Sequence, residues 1–193
     1  MGRIERASLL SLEAYARERD AFRARVLQHK KHRTVALGDH VTLIFEDELT
    51  IRYQIQEMLR IERIFEEAGI RHELDTYNPL VPDGGNLKAT MMIEYPDVAQ
   101  RQRELARLRG VEDRVWVQVA GCERVYAIAD EDLARENEDK TSAVHFLRFE
   151  LDGEMRQALR HGAGLAIGVD HPQVQAAVEA APAVRAALAA DLA

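Results

Sequence analysis

Cysteine is nearly absent. Cys122 is the one thiol among 193 residues, which excludes an intrachain disulfide, a four-thiolate zinc site and an ordinary iron–sulfur cluster. Long apolar runs are missing too. The stretches 41–45 and 162–169 fall far short of the roughly 18 residues a membrane-spanning helix requires, and residues 1–6 lead into no signal-peptide core. The reading is a cytoplasmic protein with no membrane association. Basic excess is also lacking: 26 Lys+Arg against 33 Asp+Glu leave a net charge of −7, which argues against a dedicated nucleic-acid binder. No His-Glu-x-x-His zinc motif, Walker loop, Gly-x-Ser-x-Gly elbow, ferritin-type Glu-x-x-His pair or solenoid repeat is present.

With 47% hydrophobic and 31% charged residues, the chain has the composition of a globular protein long enough to bury a core without metal or disulfide. No linker divides it, so residues 1–193 are expected to form a single domain. Ser11 is a good N-cap, and no Pro or Gly intervenes before Gly38, which predicts a long N-terminal helix over 11–31. Two β-type runs, 34–37 and 40–46, flank Gly38–Asp39 and predict a hairpin with a two-residue turn. The period then turns helical over 48–69, where Gly69 reads as the stop, and a further helical stretch is expected at 71–77. Beyond the Pro- and Gly-rich loop 79–86, the pattern predicts a strand over 87–95 and a helix over 97–109. Strands follow at 115–120, 124–129 and 143–151, then a helix at 153–160 and another apolar run at 164–169. The alanine-rich tail 172–191, divided by Pro182, reads as two short helices. Strands that do not alternate cleanly with helices point to an α+β fold, with a mainly antiparallel sheet and flanking helices.

Polar residues on faces that should be apolar are the candidates for chemistry. With Ile51 at 0° on a helix over 48–69, Glu62 projects at about 20°, inside the stripe made by Ile55, Met58, Leu59 and Phe65. A carboxylate there has to be ion-paired, protonated or bound to a metal. On the first helix, Arg19 and Arg23 fall within the face of Leu12, Tyr15, Phe22 and Val26, where they either snorkel to solvent or hold Glu62 or an anionic ligand. Alternation over 143–151 turns His145 inward with Leu147 and Phe149, as a satisfied core histidine or as a ligand. The pair His29-x-x-His32 could meet a metal at i, i+3, but Lys30, Lys31 and Arg33 make an exposed basic patch the plainer reading. The run 130–139, with six acids against Arg135, reads as a solvated loop, and Cys122 as a spectator beside a turn.

Several separated segments carry a family likeness. Leu9-Leu10-Ser11-Leu12-Glu13-x-Tyr15, Gly38-Asp39-His40-Val41-Thr42-Leu43-Ile44-Phe45-Glu46, Gln54-Ile55-Gln56-Glu57-Met58-Leu59-Arg60-x-Glu62-Arg63, Glu73-Leu74-Asp75-x-Tyr77-Asn78 and Asp139-Lys140-x-Ser142-Ala143-Val144-His145 occur in order. Together they resemble a bacterial family known only as domain of unknown function 3501. The resemblance covers nearly the whole chain. It implies a context, since such proteins are similar to ones commonly encoded beside rubrerythrin-like di-iron proteins and iron–sulfur oxidoreductases, and it assigns no catalytic residues.

Three functions are compatible with these observations. The first is a homodimeric accessory protein of a redox or peroxide-stress module, binding a small ligand, a metal or a redox partner through Glu57, Glu62 and His145, with Arg19 and Arg23 nearby. The second is an enzyme with Glu62 or His145 as general base on an anionic substrate. The third is an interaction module that docks through the alanine-rich tail or the basic stretch 29–33.

Overall fold

The nine strands among the described residues form two antiparallel sheets that share one core. The computed structural model describes residues 2–131 and 140–193, so most of the acidic run 130–139 lies outside the described residues. The first sheet has the order β1(Thr34–Leu37), β2(Val41–Phe45), β3(Asn86–Ile93), β7(Val144–Glu150), β6(Ile128–Ala129). The second has the order β5(Arg124–Tyr126), β4(Val115–Val119), β8(Leu165–His171), β9(Val174–Glu179). Inward residues of both sheets, among them Leu43, Phe45, Met91, Phe149, Val117 and Ile167, pack into one apolar cluster with Leu159 of α5(Gly153–Arg160) and Leu188 of α6(Pro182–Ala189). Alternation in β2, in β3 from Leu87 onward and in β7 follows from having one face on this core.

A second cluster holds the helical layer. Ile51, Ile55 and Leu59 of α2(Glu48–Ile61) pack on Ile70 and Leu74 of α3(Glu67–Tyr77), and Ile4 and Leu9 close it from the N-terminal side. The long α1(Leu12–Lys30) lies against α2, burying only Tyr15 and Val26, while α4(Val98–Arg107) sends Leu105 to the main core. No helix of the described residues is long and apolar enough to cross a membrane.

Four details differ from the periodicity reading. The helix expected over 48–69 is two helices: Arg63 takes the left-handed conformation at φ 57°, Ile64 N–H returns to the Leu59 carbonyl at 2.9 Å, and α3 restarts at Glu67. Gly69 is no stop. It lies inside α3, where a Cβ would come 2.6 Å from Ile64 Cγ2, so its role is to admit the side chain that tucks under the break. Glu62 and Phe65 consequently leave the buried stripe; Glu62 is exposed and Phe65 is 72% exposed. The stretch 172–181 is not helical but contains β9, whose alternate residues Val174, Ala176 and Val178 face the core in antiparallel register with β8. Alanine's helix preference is weak beside a full ladder of strand pairing, leaving one short C-terminal helix rather than two. The run 124–129 splits, giving β5 to one sheet and β6 to the other. Finally, the first hairpin closes over three residues, 38–40, with Gly38 supplying φ +73°.

Candidate functional site

His145 is fully buried at the start of β7, opposite Met91 in the register, and faces inward as alternation predicts. Its ring lies between two carboxylates. Nδ1 contacts Asp130 Oδ2 at 2.5 Å, and Nε2 lies 2.9 Å from Thr141 Oγ1, 3.0 Å from the Ser142 carbonyl and 3.9 Å from Glu112 Oε2. The Thr141 hydroxyl also donates to Glu112 Oε2 at 3.2 Å. Asp130 comes directly after β6 in a left-handed conformation at φ 48°. Its Oδ1 accepts from Phe146 N–H at 2.9 Å, so one carboxylate oxygen holds the backbone of β7 and the other the imidazole. Glu112 opens the short 3₁₀ turn Glu112–Arg114 ahead of β4 and is buried. One ligand atom from each of Glu112, Asp130 and His145 lies within 4.8 Å of the other two. Burial would lower the pKa of the His145 imidazolium, but the bond to Asp130 and the field of Glu112 outweigh it and raise the pKa above the usual histidine range.

The expected grouping of Glu57, Glu62 and His145 does not share partners in the fold. Glu57 belongs to the α1–α2 seam. Arg19 clasps it in a bidentate pair, Nε to Oε1 at 2.8 Å and Nη2 to Oε2 at 2.9 Å, while the Tyr15 hydroxyl donates at 2.7 Å and Arg60 at 3.3 Å. Arg19 and the other donors hold the Glu57 carboxyl down at about 2 against the opposing effect of burial, and burial together with Glu57 pushes the Tyr15 phenol up. Arg23 is exposed on α1, and Glu62 caps the end of α2. Glu57→Gln is expected to cost about 2 kcal/mol of stability at neutral pH. In the wild type that contribution is present above the ordinary glutamate value of 4.5 and is lost as pH falls toward about 2. Urea denaturation at pH 7 and pH 3 checks both statements, because the gap between wild type and variant has to narrow in acid.

The stretch 29–33 is only partly the exposed basic patch expected: Lys31 and His32 are exposed, but Arg33 is buried and His29 is engaged. Arg33 is 2% exposed, donates from Nε to the Phe45 carbonyl at 2.9 Å, and is paired with both Asp191 and Asp47, the latter at 3.3 Å. His29 Nε2 shares the same Asp47 Oδ2 at 2.5 Å, while Oδ1 accepts from Thr50 N–H at 2.9 Å and caps α2 in a reciprocal capping box with Thr50. Burial raises the Asp191 carboxyl to about 6 despite Arg33, whereas Arg33, the Thr50 amide and His29 overcome burial to lower that of Asp47.

Sequence reasoning placed His145 inward but did not name Glu112, and it set Asp130 aside within a solvated run. Neither has a local signal: Glu112 lies 33 positions from His145 and reaches it only through the 3₁₀ turn ahead of β4, and Asp130 only through β6–β7 pairing.

Comparison with known proteins agrees with the fold and adds no activity. A solved structure described as a novel protein of unknown function from Burkholderia pseudomallei K96243 is 57% identical, with complete coverage of both chains and a TM-score of 0.95. No curated protein matches the chain. The family model described as protein of unknown function (DUF3501) matches residues 3–192, so the chain belongs to that family.

Proposed function

We propose that the protein is a divalent-cation-binding accessory protein of redox metabolism, with Glu112, Asp130 and His145 as its ligands. The observation that carries the reading is the convergence of one imidazole and two carboxylates, all largely removed from solvent, within 4.8 Å of one another. Two buried anions facing a single imidazole are better balanced by a 2+ ion than by one proton. A mixed set of one nitrogen and two oxygens suits iron(II) or manganese(II) better than an ion that prefers thiolates. Three protein ligands leave positions for water or a small molecule. The redox assignment rests on the gene context that the family resemblance implies.

The test is elemental analysis of protein purified without chelators, followed by titration with Mn2+ monitored by native mass spectrometry. The expected result is one ion per chain, with affinity at least tenfold weaker in Asp130→Asn and in His145→Gln. A chain that stays metal-free at millimolar Mn2+ would make the triad a structural ion network. The same spectra report whether the chain forms the proposed homodimer.

A further inference from the structure

A cavity of about 430 Å3 opens between the N-terminal segment, α1 and α2, walled by Leu10, Glu18, Phe22, Arg25, Arg52 and Gln56. Two guanidinium groups converge on it. Arg25 Cζ lies 4.9 Å and Arg52 Cζ 5.9 Å from the centroid of the Phe22 ring. Arg19 and Arg60, on the same pair of helices, are both engaged with Glu57, but neither Arg25 nor Arg52 donates a hydrogen bond among the described residues. Arg52 forms an i, i+4 ion pair with Glu48, Nε to Oε1 at 3.4 Å, but without hydrogen-bond geometry, so the solvent-shielded Nε has no acceptor. Arg25 has no ion pair at all among the described residues.

Both guanidinium groups stand beside the Phe22 ring, and the loose Glu48 contact leaves the Arg52 fork without a hydrogen-bond acceptor, so a carboxylate entering the cavity would meet free donors from both side chains. The rest of the cavity narrows the class. Phe22 and Leu10 offer an apolar wall, and the Gln56 amide is already committed to Leu10 N–H at 2.6 Å and to the Leu10 carbonyl. Glu18 stands on the wall with its charge unspent and opposes a second negative group on the ligand.

We infer that this cavity binds a small organic monocarboxylate, with its head between Arg25 and Arg52 and its apolar body on Phe22. The volume falls within the range usual for small-molecule sites. The site is separate from the His145 triad, sharing no residue or element with it, so it stands or falls independently of metal binding.

Isothermal titration of the full chain with phenylacetate, 2-phenylethanol and citrate tests the assignment. Phenylacetate is expected to bind at least tenfold more tightly than 2-phenylethanol, which lacks the carboxylate. The double variant Arg25→Gln/Arg52→Gln should erase that difference while circular dichroism shows an unchanged fold. Citrate should bind more weakly than phenylacetate and recover in Glu18→Gln. Absence of phenylacetate binding, equal binding of the neutral analogue, or indifference to the double substitution would overturn the inference.

Discussion

Replacing Arg33 with Met is expected to lower folding free energy by about 3–5 kcal/mol, the cost of leaving buried carboxylates without their cation. Arg33 is 2% exposed, Asp47 7% and Asp191 4%, so water cannot take over its place. Asp191→Asn is the control that separates loss of a pair from loss of the cation. It leaves Arg33 matched by Asp47 and removes the carboxyl that burial disfavours most, so its expected change at pH 7 is within about 1 kcal/mol. The two carboxyls also carry opposite pH dependence. Asp191 titrates at about 6 in the fold against an ordinary 3.8, so between those values the folded state binds the extra proton and stability rises as pH falls. Asp47 is lowered, and its contribution, present above 3.8, is lost as pH falls further. Guanidinium denaturation from about pH 2 to pH 7 reads both effects, Asp191 in the upper part of the range and Asp47 below 3.8. In Asp191→Asn the slope between about 4 and 6 should flatten, and an unchanged slope would remove Asp191 as its source.

Gly168→Ala is expected to destabilise the chain by about 3 kcal/mol, although strand propensity alone predicts the opposite sign. Gly168 in β8 stands directly across from Trp116 in β4. A Cβ there would fall 2.3 Å from Trp116 Cζ2 and 2.8 Å from the Ala176 carbonyl, so the indole and the β9 backbone would both have to move. The indole is also pinned from above by Arg124, whose Cζ lies 4.0 Å from the ring, and it cannot swing away freely. Because Trp116 is the sole tryptophan, its fluorescence reports the displacement directly. The double variant Gly168→Ala/Trp116→Leu should recover most of the loss. If Gly168→Ala melts like the wild type with an unshifted emission maximum, the close packing of ring on glycine is refuted.

What was legible in the sequence follows from how local each cause is. Alternation over 41–45, 87–93 and 144–150 is set by one buried face per strand, so the strands and the inward aim of His145 could be read directly. The break at Arg63 was hidden because Ile64 and Gly69 cooperate through space, while the 3.6-residue period continues formally across them. The strand at 174–179 was hidden by alanine, which says helix in isolation and gives way where β8 offers a ladder. Buried Arg33 looked like part of a basic surface because its partners, Asp47 and Asp191, are 14 and 158 positions away. The candidate site was half legible for the same reason: His145 belongs to a pattern, whereas Glu112 and Asp130 belong to an arrangement.

The division of residues 124–129 between the two sheets bears on how the molecule comes apart. A segment of six residues donates β5 to one ladder and β6 to the other, and Asp130 follows it immediately. Neither sheet can open while its neighbour stays closed without tearing that short crossing, and the shared core removes any seam along which they could separate. The sheets are therefore expected to behave as one cooperative unit in native-state exchange, with the Asp130–His145 contact protected to the level of the whole. The helical layer, with its own apolar cluster, can open at lower free energy and leave that contact intact.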